Sequence, residues 1–278
     1  MHKFPTLDGK IIDLSKPLVM GILNITPDSF YDGGKYLNEV DIKKRINQIF
    51  DEGADIIDVG AYSTRPGASF VDEKEELSRN LFTCELIRKH YPNATISIDT
   101  FRSKVAKGVN DAFGPIIIND ISGGTLDDAM YDYVASSSLP YIMMHIKGEP
   151  HSMQNNPHYD DVCLEVREFF RKRIEILKEK GTDNLILDLG FGFGKTLGNN
   201  YELMNRMDEF KDFGFPILTG ISRKSMIYRL LDKSPKDSLI GTTVLNTIAL
   251  LKGTSIIRVH DVKEAVETVK IFLALQNK

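Results

Sequence analysis

Several short apolar runs of this chain end in a side chain that could do chemistry. The groups are two carboxylates, two carboxamides, a guanidinium and an imidazole: Asp99, Asp188, Asn24, Asn119, Arg258 and His260. Because side chains alternate between the faces of a strand, Asp99 shares a face with Ser97, and His260 shares one with Arg258. If these faces point toward the axis of a barrel, the six groups converge at its carboxyl-terminal mouth, where barrel enzymes have their active sites.

Each of these residues also has an interpretation without function. Asp99 could cap a helix that follows Thr100, Asn119 could form a turn with Asp120, and His260 could be a structural histidine. The occurrence of the whole set in register favours a functional site over these readings.

Basic residues follow the last two apolar runs, as Ser222-Arg223-Lys224 and Arg258-Val259-His260. The final strands of a barrel commonly build a phosphate site. An arginine, a histidine and Asn24 that meet between the last strand and the first therefore predict binding of an anionic leaving group. Lys224 could alternatively be a solvated residue at the start of a helix.

The segment 190–196, Gly-Phe-Gly-Phe-Gly-Lys-Thr, has the composition of a phosphate loop but not its spacing. A Walker A motif has four residues between its first glycine and the Gly-Lys pair, and this segment has three. A dinucleotide-binding loop would open a helix at once, whereas Gly198, Asn199 and Asn200 are expected to delay it. We predict instead that the glycines let the backbone and Phe193 lie close to a flat ligand.

The elements that must position these groups alternate regularly. Runs typical of buried parallel strands cover residues 18–24, 55–60, 95–99, 115–119, 140–145, 184–188, 216–222 and 255–260. Amphipathic helical patterns cover residues 41–52, 73–90, 103–110, 126–136, 159–180, 201–212, 238–251 and 262–275, with start signals such as Thr125 followed by Asp128. Eight strand-helix units predict a single (β/α)8 TIM barrel.

Length and charge agree with a barrel of this kind. A chain of 278 residues fits one domain over 1–278, and its net charge of −4 gives no reason to expect nucleic acid or an anionic membrane as a partner. No leading apolar segment is present, so we predict a cytoplasmic protein.

The two cysteines, Cys84 and Cys163, are predicted to be buried small hydrophobes. The polar segments 24–34 and 63–67 are predicted to be extended βα loops 1 and 2, which cover the site.

At this level of detail the chain closely resembles the dihydropteroate synthase family along essentially its whole length. The resemblance lies in residues 20–34, 60–67, 97–100, 118–124, 144–145, 188–196, 222–224 and 258–260, in that order. It implies transfer of the 6-hydroxymethyl-7,8-dihydropterin group from its diphosphate to p-aminobenzoate, which yields 7,8-dihydropteroate and pyrophosphate.

The resemblance also implies a role for each matching residue. The pterin would be held by Asp99, Asn119, Asp188 and Lys224, with Met144 and Phe193 near its ring. Asn24 would ligate Mg²⁺ together with diphosphate oxygens, and Arg258 and His260 would bind the diphosphate. The p-aminobenzoate pocket would be shaped by Phe30, Thr64, Arg65, Pro66 and Ser222.

The chemistry of these groups suits the implied reaction. A carboxylate such as Asp188 can accept two adjacent N–H donors of an aminopyrimidinone edge, while Lys224 can donate to ring acceptors. A carboxamide oxygen suits Mg²⁺, and the cations would stabilise the departing diphosphate. Because the dihydropterin can support positive charge on its exocyclic methylene, we expect SN1-like C–O cleavage, which needs no strong general base.

The sequence also allows other functions, and it differs from the family pattern at two positions. The rival functions are a folate/corrinoid methyltransferase, a glycoside hydrolase that uses Asp99 and Asp188, and a pterin-binding relative without turnover. Leu189 and Tyr31 stand where the family often has proline and serine, which leaves loop detail open.

The last helix has an apolar stripe formed by Val262, Ala265, Val266, Val269 and Phe272. Ile271, Leu273 and Leu275 widen this stripe, and we therefore expect a homodimer through the late helices.

Overall fold

The computed structural model describes residues 6–25, 39–62, 71–148, 153 and 156–276. Its strands are β1 (Thr6–Leu7), β2 (Lys10–Ile11), β3 (Leu18–Asn24), β4 (Ile56–Gly60), β5 (Thr95–Asp99), β6 (Ile117–Asp120), β7 (Tyr141–Met144), β8 (Leu185–Asp188), β9 (Ile217–Thr219) and β10 (Ile256–Val259). Strands β3 to β10 close into a barrel in chain order, with β10 beside β3, and every neighbouring pair is parallel. The predicted (β/α)8 barrel is confirmed.

Helices connect the strands on the outside of the barrel. They are α1 (Glu39–Asp51), α2 (Glu73–His90), α3 (Ser103–Phe113), α4 (Met130–Ser137), α5 (Val162–Glu179), α6 (Leu197–Asn205), α7 (Ser225–Tyr228), α8 (Leu239–Leu251) and α9 (Val262–Gln276). Two 3-10 helices, Met207–Phe213 and Pro235–Asp237, complete the connections among the described residues. The apolar faces of the helices pack on the outer face of the barrel in one large buried cluster that also contains Cys84 and Cys163.

Three sequence expectations about element ends were wrong. Helix α4 begins at Met130, because Thr125 donates to the Ser122 carbonyl in a turn instead of capping a helix. The predicted helix 201–212 is α6 followed by a 3-10 helix. Helix α6 already begins at Leu197, since Thr196 and Asn199 form a reciprocal capping box that outweighs the low helix propensity of Gly198.

The strand that was expected over residues 216–222 is also shorter than predicted. Strand β9 ends at Thr219, and Arg223 has a left-handed backbone with φ of 56°. Residues 220–224 therefore form a turn above the strand, and Ser222 and Lys224 project from this turn.

The amino-terminal end of the barrel is closed by apolar side chains. One cluster contains residues from seven of the eight barrel strands: Leu18, Met20, Ile56, Ile117, Ile142, Ile186, Leu218 and Ile256. Ile12 and Leu14, which follow the β1–β2 hairpin, pack against this cluster, and Asn184 ties the hairpin down through the backbone of Thr6. Among the described residues, the polar side chains that the sequence predicts for the site lie at the opposite, carboxyl-terminal end of the barrel. In the described part of the chain, no helix combines the length and apolarity that crossing a bilayer requires.

Candidate active site

Arg258 lies between two carboxylates at the carboxyl-terminal end of the barrel. Its Nε donates to Asp58 Oδ2 and its Nη2 donates to Asp99 Oδ2, both at 2.6 Å. Asn119 donates through Nδ2 to the same Asp58 carboxylate at 3.2 and 3.3 Å. Asp58, Asp99, Asn119 and Arg258 therefore form one hydrogen-bonded cluster across four strands.

Two features of this cluster differ from the sequence interpretation. Arg258 was grouped with Asn24 and His260, but its two described ion pairs are with Asp58 and Asp99. The pattern of polar residues at strand ends does not identify Asp58, because Asp58 lies in the middle of β4. A charged residue inside the otherwise apolar run Ile-Ile-Asp-Val-Gly, with the same parity as Gly60, is the signal that could have found it.

The two structural alternatives for Asp99 and Asn119 do not hold. Helix α3 has no side-chain cap from Asp99, and the Ser103 amide instead donates to Asp127. The turn after β6 is formed by Asp120, which accepts from the amides of Ser122 and Gly124. Asp99 and Asn119 are thus left to the cluster around Arg258.

Burial and charge shift the protonation of this cluster. Burial raises the pKa of Asp99 to about 7, an effect that Arg258 opposes and Asp58 reinforces. Burial acts to lower the pKa of Arg258, but Asp58 and Asp99 outweigh it and raise that pKa above its ordinary value. Arg258 is therefore a permanent cation, while Asp99 titrates near neutral pH.

Asp188 and Lys224 face the same mouth from the other side. Burial raises the pKa of Asp188, and the nearby charge of Lys224 opposes the shift. Burial lowers the pKa of Lys224 to about 8. The Nζ of Lys224 donates to the Phe191 carbonyl at 2.5 Å and lies 4.6 Å from the centre of the Phe193 ring. Phe193 packs against the buried cluster that contains Met144.

The segment between β8 and α6 is held by a buried lysine. Lys195 Nζ lies 2.9 Å from His145 Nδ1 and donates to the carbonyls of Gly190 and Phe193 at 2.8 and 3.2 Å. The Gly190 amide in turn donates to Asp188 Oδ1 at 2.8 Å. Burial lowers the pKa of both Lys195 and His145 well below the ordinary values. Lys195 thus orders the residues beside Asp188. The sequence had predicted only that the segment containing Lys195 is not a nucleotide-binding loop.

Asn24, His260 and Ser222 lie at the seam between β3 and β10. The Ser222 hydroxyl is 3.0 Å from His260 Nδ1 and accepts the His260 amide at 3.1 Å. Asn24 and His260 both line a cavity of about 560 Å³, together with Arg45 and Arg223. The two arginines are engaged with the protein: Arg45 donates to the His260 carbonyl at 2.6 Å, and Arg223 forms a bidentate ion pair with Asp261. These bonds hold the ends of the strands that carry the seam residues.

The seam adjoins the cluster around Arg258 at Gly60. A Cβ atom placed on Gly60 would lie 3.3 Å from Asn24 Oδ1 and 3.6 Å from Asp99 Oδ2, so the missing side chain leaves both oxygens facing one gap. Asn24 of the seam and Asp99 of the Arg258 cluster therefore lie next to each other.

Phe30, Thr64, Arg65 and Pro66 lie outside the described residues. The same holds for most of the two predicted covering loops, of which only Asn24 and Ile25 are described.

Another group with metal-ligand atoms, Asp161, Cys163 and Glu202, lies away from these residues. Arg206 occupies it, with Nη1 at 3.0 Å from Asp161 and 3.2 Å from Glu202. Asp161 also caps α5. A cation is already supplied by the protein there, so the group is structural.

Comparison with known proteins points to one family. The sequence profile described as "Pterin binding enzyme" matches residues 20–260. The dihydropteroate synthase of Escherichia coli strain K12 is 44% identical over 95% of this chain and 93% of its own length, and that of Bacillus subtilis strain 168 is 40% identical over 95% and 90%.

Solved structures give the same result. A Yersinia pestis dihydropteroate synthase in a complex with a sulfonamide drug superposes with a TM-score of 0.91 at 40% identity, over 99% of this chain and all of the other. A Xanthomonas albilineans dihydropteroate synthase with 4-aminobenzoic acid has a TM-score of 0.88 at 35% identity, over 99% of each chain.

Proposed function

The chain belongs to the pterin-binding enzyme family, among the transferases called dihydropteroate synthases, and from this premise we propose how its residues perform the reaction. The substrates are 6-hydroxymethyl-7,8-dihydropterin diphosphate and p-aminobenzoate, and the products are 7,8-dihydropteroate and pyrophosphate. The observation that carries the proposal is the gathering of Asp99, Asn119, Asp188 and Lys224 at one end of one barrel. Such a set offers hydrogen-bond acceptors and donors to both edges of a flat heterocycle.

Pterin recognition rests on buried groups with complementary polarity. Asp188 accepts two adjacent N–H donors of the pterin, and Asp99 and Asn119 pair with the remaining polar edge. Lys224 donates to ring acceptors, while Phe193 and Met144 contact the ring faces. Because Asp188 is buried and Lys224 is half-buried, a ring with the wrong donor pattern leaves them unpaired, and this penalty gives selectivity.

The diphosphate binds at the seam between the last and first strands. Asn24 and His260 contact it there, and Arg258 contributes positive charge from the adjoining cluster. Asn24 Oδ1 faces the gap above Gly60, and an uncharged oxygen donor of this kind fits Mg²⁺ when diphosphate and water supply the other ligands. The ion, when bound, neutralises charge on the leaving diphosphate.

Bond breaking precedes bond making in this proposal. The C–O bond to the diphosphate breaks, its electron pair leaves with the diphosphate, and the pterin methylene becomes cationic. The neutral arylamine of p-aminobenzoate then forms the C–N bond and loses a proton to solvent or to the departing pyrophosphate. The residues near Asp188 and Phe193 keep the ring oriented, so the chain supplies position and electrostatic stabilisation.

The p-aminobenzoate pocket is proposed to contain Phe30, Thr64, Arg65, Pro66 and Ser222. Of these, Ser222 is the one that the structure describes, and its hydroxyl is bonded to His260, which is proposed to contact the diphosphate. Competition by sulfonamides follows, because they present the same arylamine with an acidic group at its far end.

We further propose a cytoplasmic homodimer. The exposed apolar residues of α8 and α9 and of the turn after α7 support it: Leu230, Leu231, Ile240, Val244, Leu251, Ile271 and Leu275. Helices α8 and α9 pack against each other, so their exposed residues form an apolar surface on one side of the barrel.

One experiment tests the reaction. Purified protein is incubated with both substrates, with Mg²⁺ or with a chelator, and dihydropteroate and pyrophosphate are measured. We expect product only with Mg²⁺, and we expect a sulfonamide to raise the apparent KM for p-aminobenzoate without lowering kcat. The control Asp188→Asn keeps the shape of the side chain, and it should weaken pterin binding at least about tenfold. A parent protein that forms no dihydropteroate at saturating substrate would overturn the proposal, as would methyl transfer from a methylfolate to a corrinoid.

A further inference from the structure

We propose that Asp58 is a positioning residue that fixes Arg258 and Asn119 for pterin diphosphate binding, an inference that rests on the function proposed above. Asp58 cannot act on a ligand directly, because its side chain is completely buried below the mouth of the barrel. Its influence must therefore pass through the residues that it touches.

The geometry of Arg258 shows why a second anchor matters. A guanidinium held by one hydrogen bond can rotate about that bond, whereas bonds from Nε to Asp58 and from Nη2 to Asp99 fix its plane. The remaining N–H groups of the guanidinium therefore point in a direction that the two anchoring carboxylates fix. Loss of the Asp58 bond would leave Arg258 tethered only to Asp99, a residue that the pterin itself is proposed to engage.

Asn119 depends on the same carboxylate. Its Nδ2 donates to both oxygens of Asp58, which leaves Oδ1 of the carboxamide as the acceptor available to a ligand. A neutral amide at position 58 can keep its oxygen toward Arg258 Nε, but its N–H₂ group then replaces Oδ1 and meets the Nδ2 donor of Asn119. Asn119 would then have to turn away, and the bond from Arg258 would lose its charged acceptor.

Register explains why position 58 can reach both residues. Asp58 pairs with Ile22 on β3 and with Ser97 on β5, and Gly60 pairs with Asp99. Asp58 therefore lies one inward-facing layer below Asp99.

Asp58 also acts on Asp99 through charge. The carboxyl of Asp99 is influenced by Arg258, Asp58, Glu76 and Asp120, and the negative charge of Asp58 is one of the causes that raise the pKa of Asp99. Removing that charge should lower the pKa of Asp99 toward its ordinary value.

The test compares Asp58→Asn with Asp120→Asn as a matched control. Asp120 on β6, two strands away from Asp58, is also completely buried, and its charge too raises the pKa of Asp99, but its described bonds go to Ser122, Gly124 and Tyr141. We expect Asp58→Asn to raise the Kd for pterin diphosphate, measured by calorimetry, at least about tenfold. The acidic limb of kcat/KM should move to lower pH, and Asp120→Asn should change the Kd less than about threefold.

A second measurement needs no turnover. In ¹⁵N NMR spectra of the parent protein, the Nε–H of Arg258 should exchange slowly with solvent; it is assigned by its loss in Arg258→Met. Asp58→Ser, whose shorter side chain withdraws the acceptor and admits water, should abolish this signal, and Asp120→Asn should retain it. Asp58→Asn keeps an amide oxygen for the bond, and it should make the exchange with solvent faster without abolishing the signal.

The outcomes separate the two proposals. A Kd within twofold of the parent, an unchanged Nε–H signal, or equal weakening by the Asp58 and Asp120 variants would overturn the role of Asp58 while the enzyme function stands. If the parent forms no dihydropteroate, the function falls, and the NMR signal still reports whether Asp58 holds Arg258.

Discussion

At the scale of single residues, opposite charges lie close together at the centre of the mouth. Three carboxylates, Asp58, Asp99 and Asp188, face two cations, Arg258 and Lys224. A neutral pterin with several N–H donors can bind to an acid-rich pocket without introducing new charge. A diphosphate could not, and the proposed assignment of the diphosphate to the neighbouring seam of Asn24 and His260 is consistent with this balance.

This balance predicts a bell-shaped pH dependence of kcat/KM. Below about pH 7, Asp99 becomes protonated, so it loses its negative charge and one of its oxygens becomes a donor, which weakens its bonds from the pterin and from Arg258. Above about pH 8, Lys224 loses its proton and with it one of its donors. Activity should therefore be highest between these values and fall on both sides.

The variant Lys224→Arg serves as the control for the alkaline side, because a guanidinium stays charged throughout this range. Its profile should keep the acidic limb and lose the alkaline one. Ionisation of the substrates affects parent and variant alike and so cancels in the comparison. An alkaline limb that persists in the variant would show that Lys224 is not the group that titrates.

Strand parity was enough to predict which way three side chains face. Asp99 and Asp188 end their strands and Asn119 is the last residue but one of β6, and all three lie at one mouth, while their roles stay predictions. The partners of Arg258 could not be predicted in this way. Its side chain crosses the barrel to residues 200 and 159 positions away in sequence, and the direction of a long flexible side chain depends on the space that its neighbours leave.

At the scale of elements, the β8–α6 connection shows how backbone conformation serves the site. Gly190, Gly192 and Gly194 all have positive φ, which most residues avoid. The fold of this connection brings the Gly190 amide to Asp188, the Phe191 carbonyl to Lys224 and the Phe193 ring beside the same lysine. The glycine pattern predicted a close approach, but the start of α6 depended on a side-chain cap that propensity alone does not predict.

Gly190→Ala should disrupt this connection. A Cβ atom at position 190 would lie 1.8 Å from the backbone oxygen of His145, so the connection would have to move away from β7. The Gly190 amide would then leave Asp188. We expect weaker pterin binding by calorimetry and a lower free energy of unfolding by denaturant titration.

Gly181→Ala is the matched control for this prediction. Gly181 also has positive φ, at +84°, but a Cβ atom added there would have no neighbouring atom within 4 Å. It should cost only the left-handed strain of about 1–2 kcal/mol and leave pterin affinity unchanged. Gly190→Ala should cost about 1–3 kcal/mol more because of the clash. Equal costs for the two variants, with equal affinities, would contradict the steric argument.

At the scale of the whole molecule, the repeated alternation of apolar runs and amphipathic helices was enough to predict the closed barrel. The β1–β2 hairpin was not predicted, because strands of two residues carry no periodic signal. The prediction that residues 1–278 form one domain, and those for loops 24–34 and 63–67, stay predictions. The shorter β9 was missed because apolar residues continue past the point where the backbone leaves the sheet, at Ile221.

Helices α8 and α9 carry both buried and exposed apolar residues, and the exposed ones bear on assembly. Val262, Ala265 and Val269 are buried against the barrel, as the stripe on the last helix predicted, while Ile271 and Leu275 remain exposed. On α8, Ile240 and Val244 are also exposed, with 72% and 52% of their surface accessible. Apolar residues of two packed helices that face solvent together are typical of a surface that a second copy covers.

Val244→Lys should therefore convert the proposed dimer to a monomer. A lysine in the centre of an apolar interface would have to lose its hydration without a partner, and this penalty opposes association. Sedimentation equilibrium at micromolar concentration should show a dimer for the parent and a monomer for the variant. Leu164→Lys is the control, because Leu164 on α5 is similarly exposed, at 60%, but lies on a different helix face of the barrel. A parent that sediments as a monomer, or a Leu164 variant that dissociates as readily as the Val244 variant, would contradict an interface through α8 and α9.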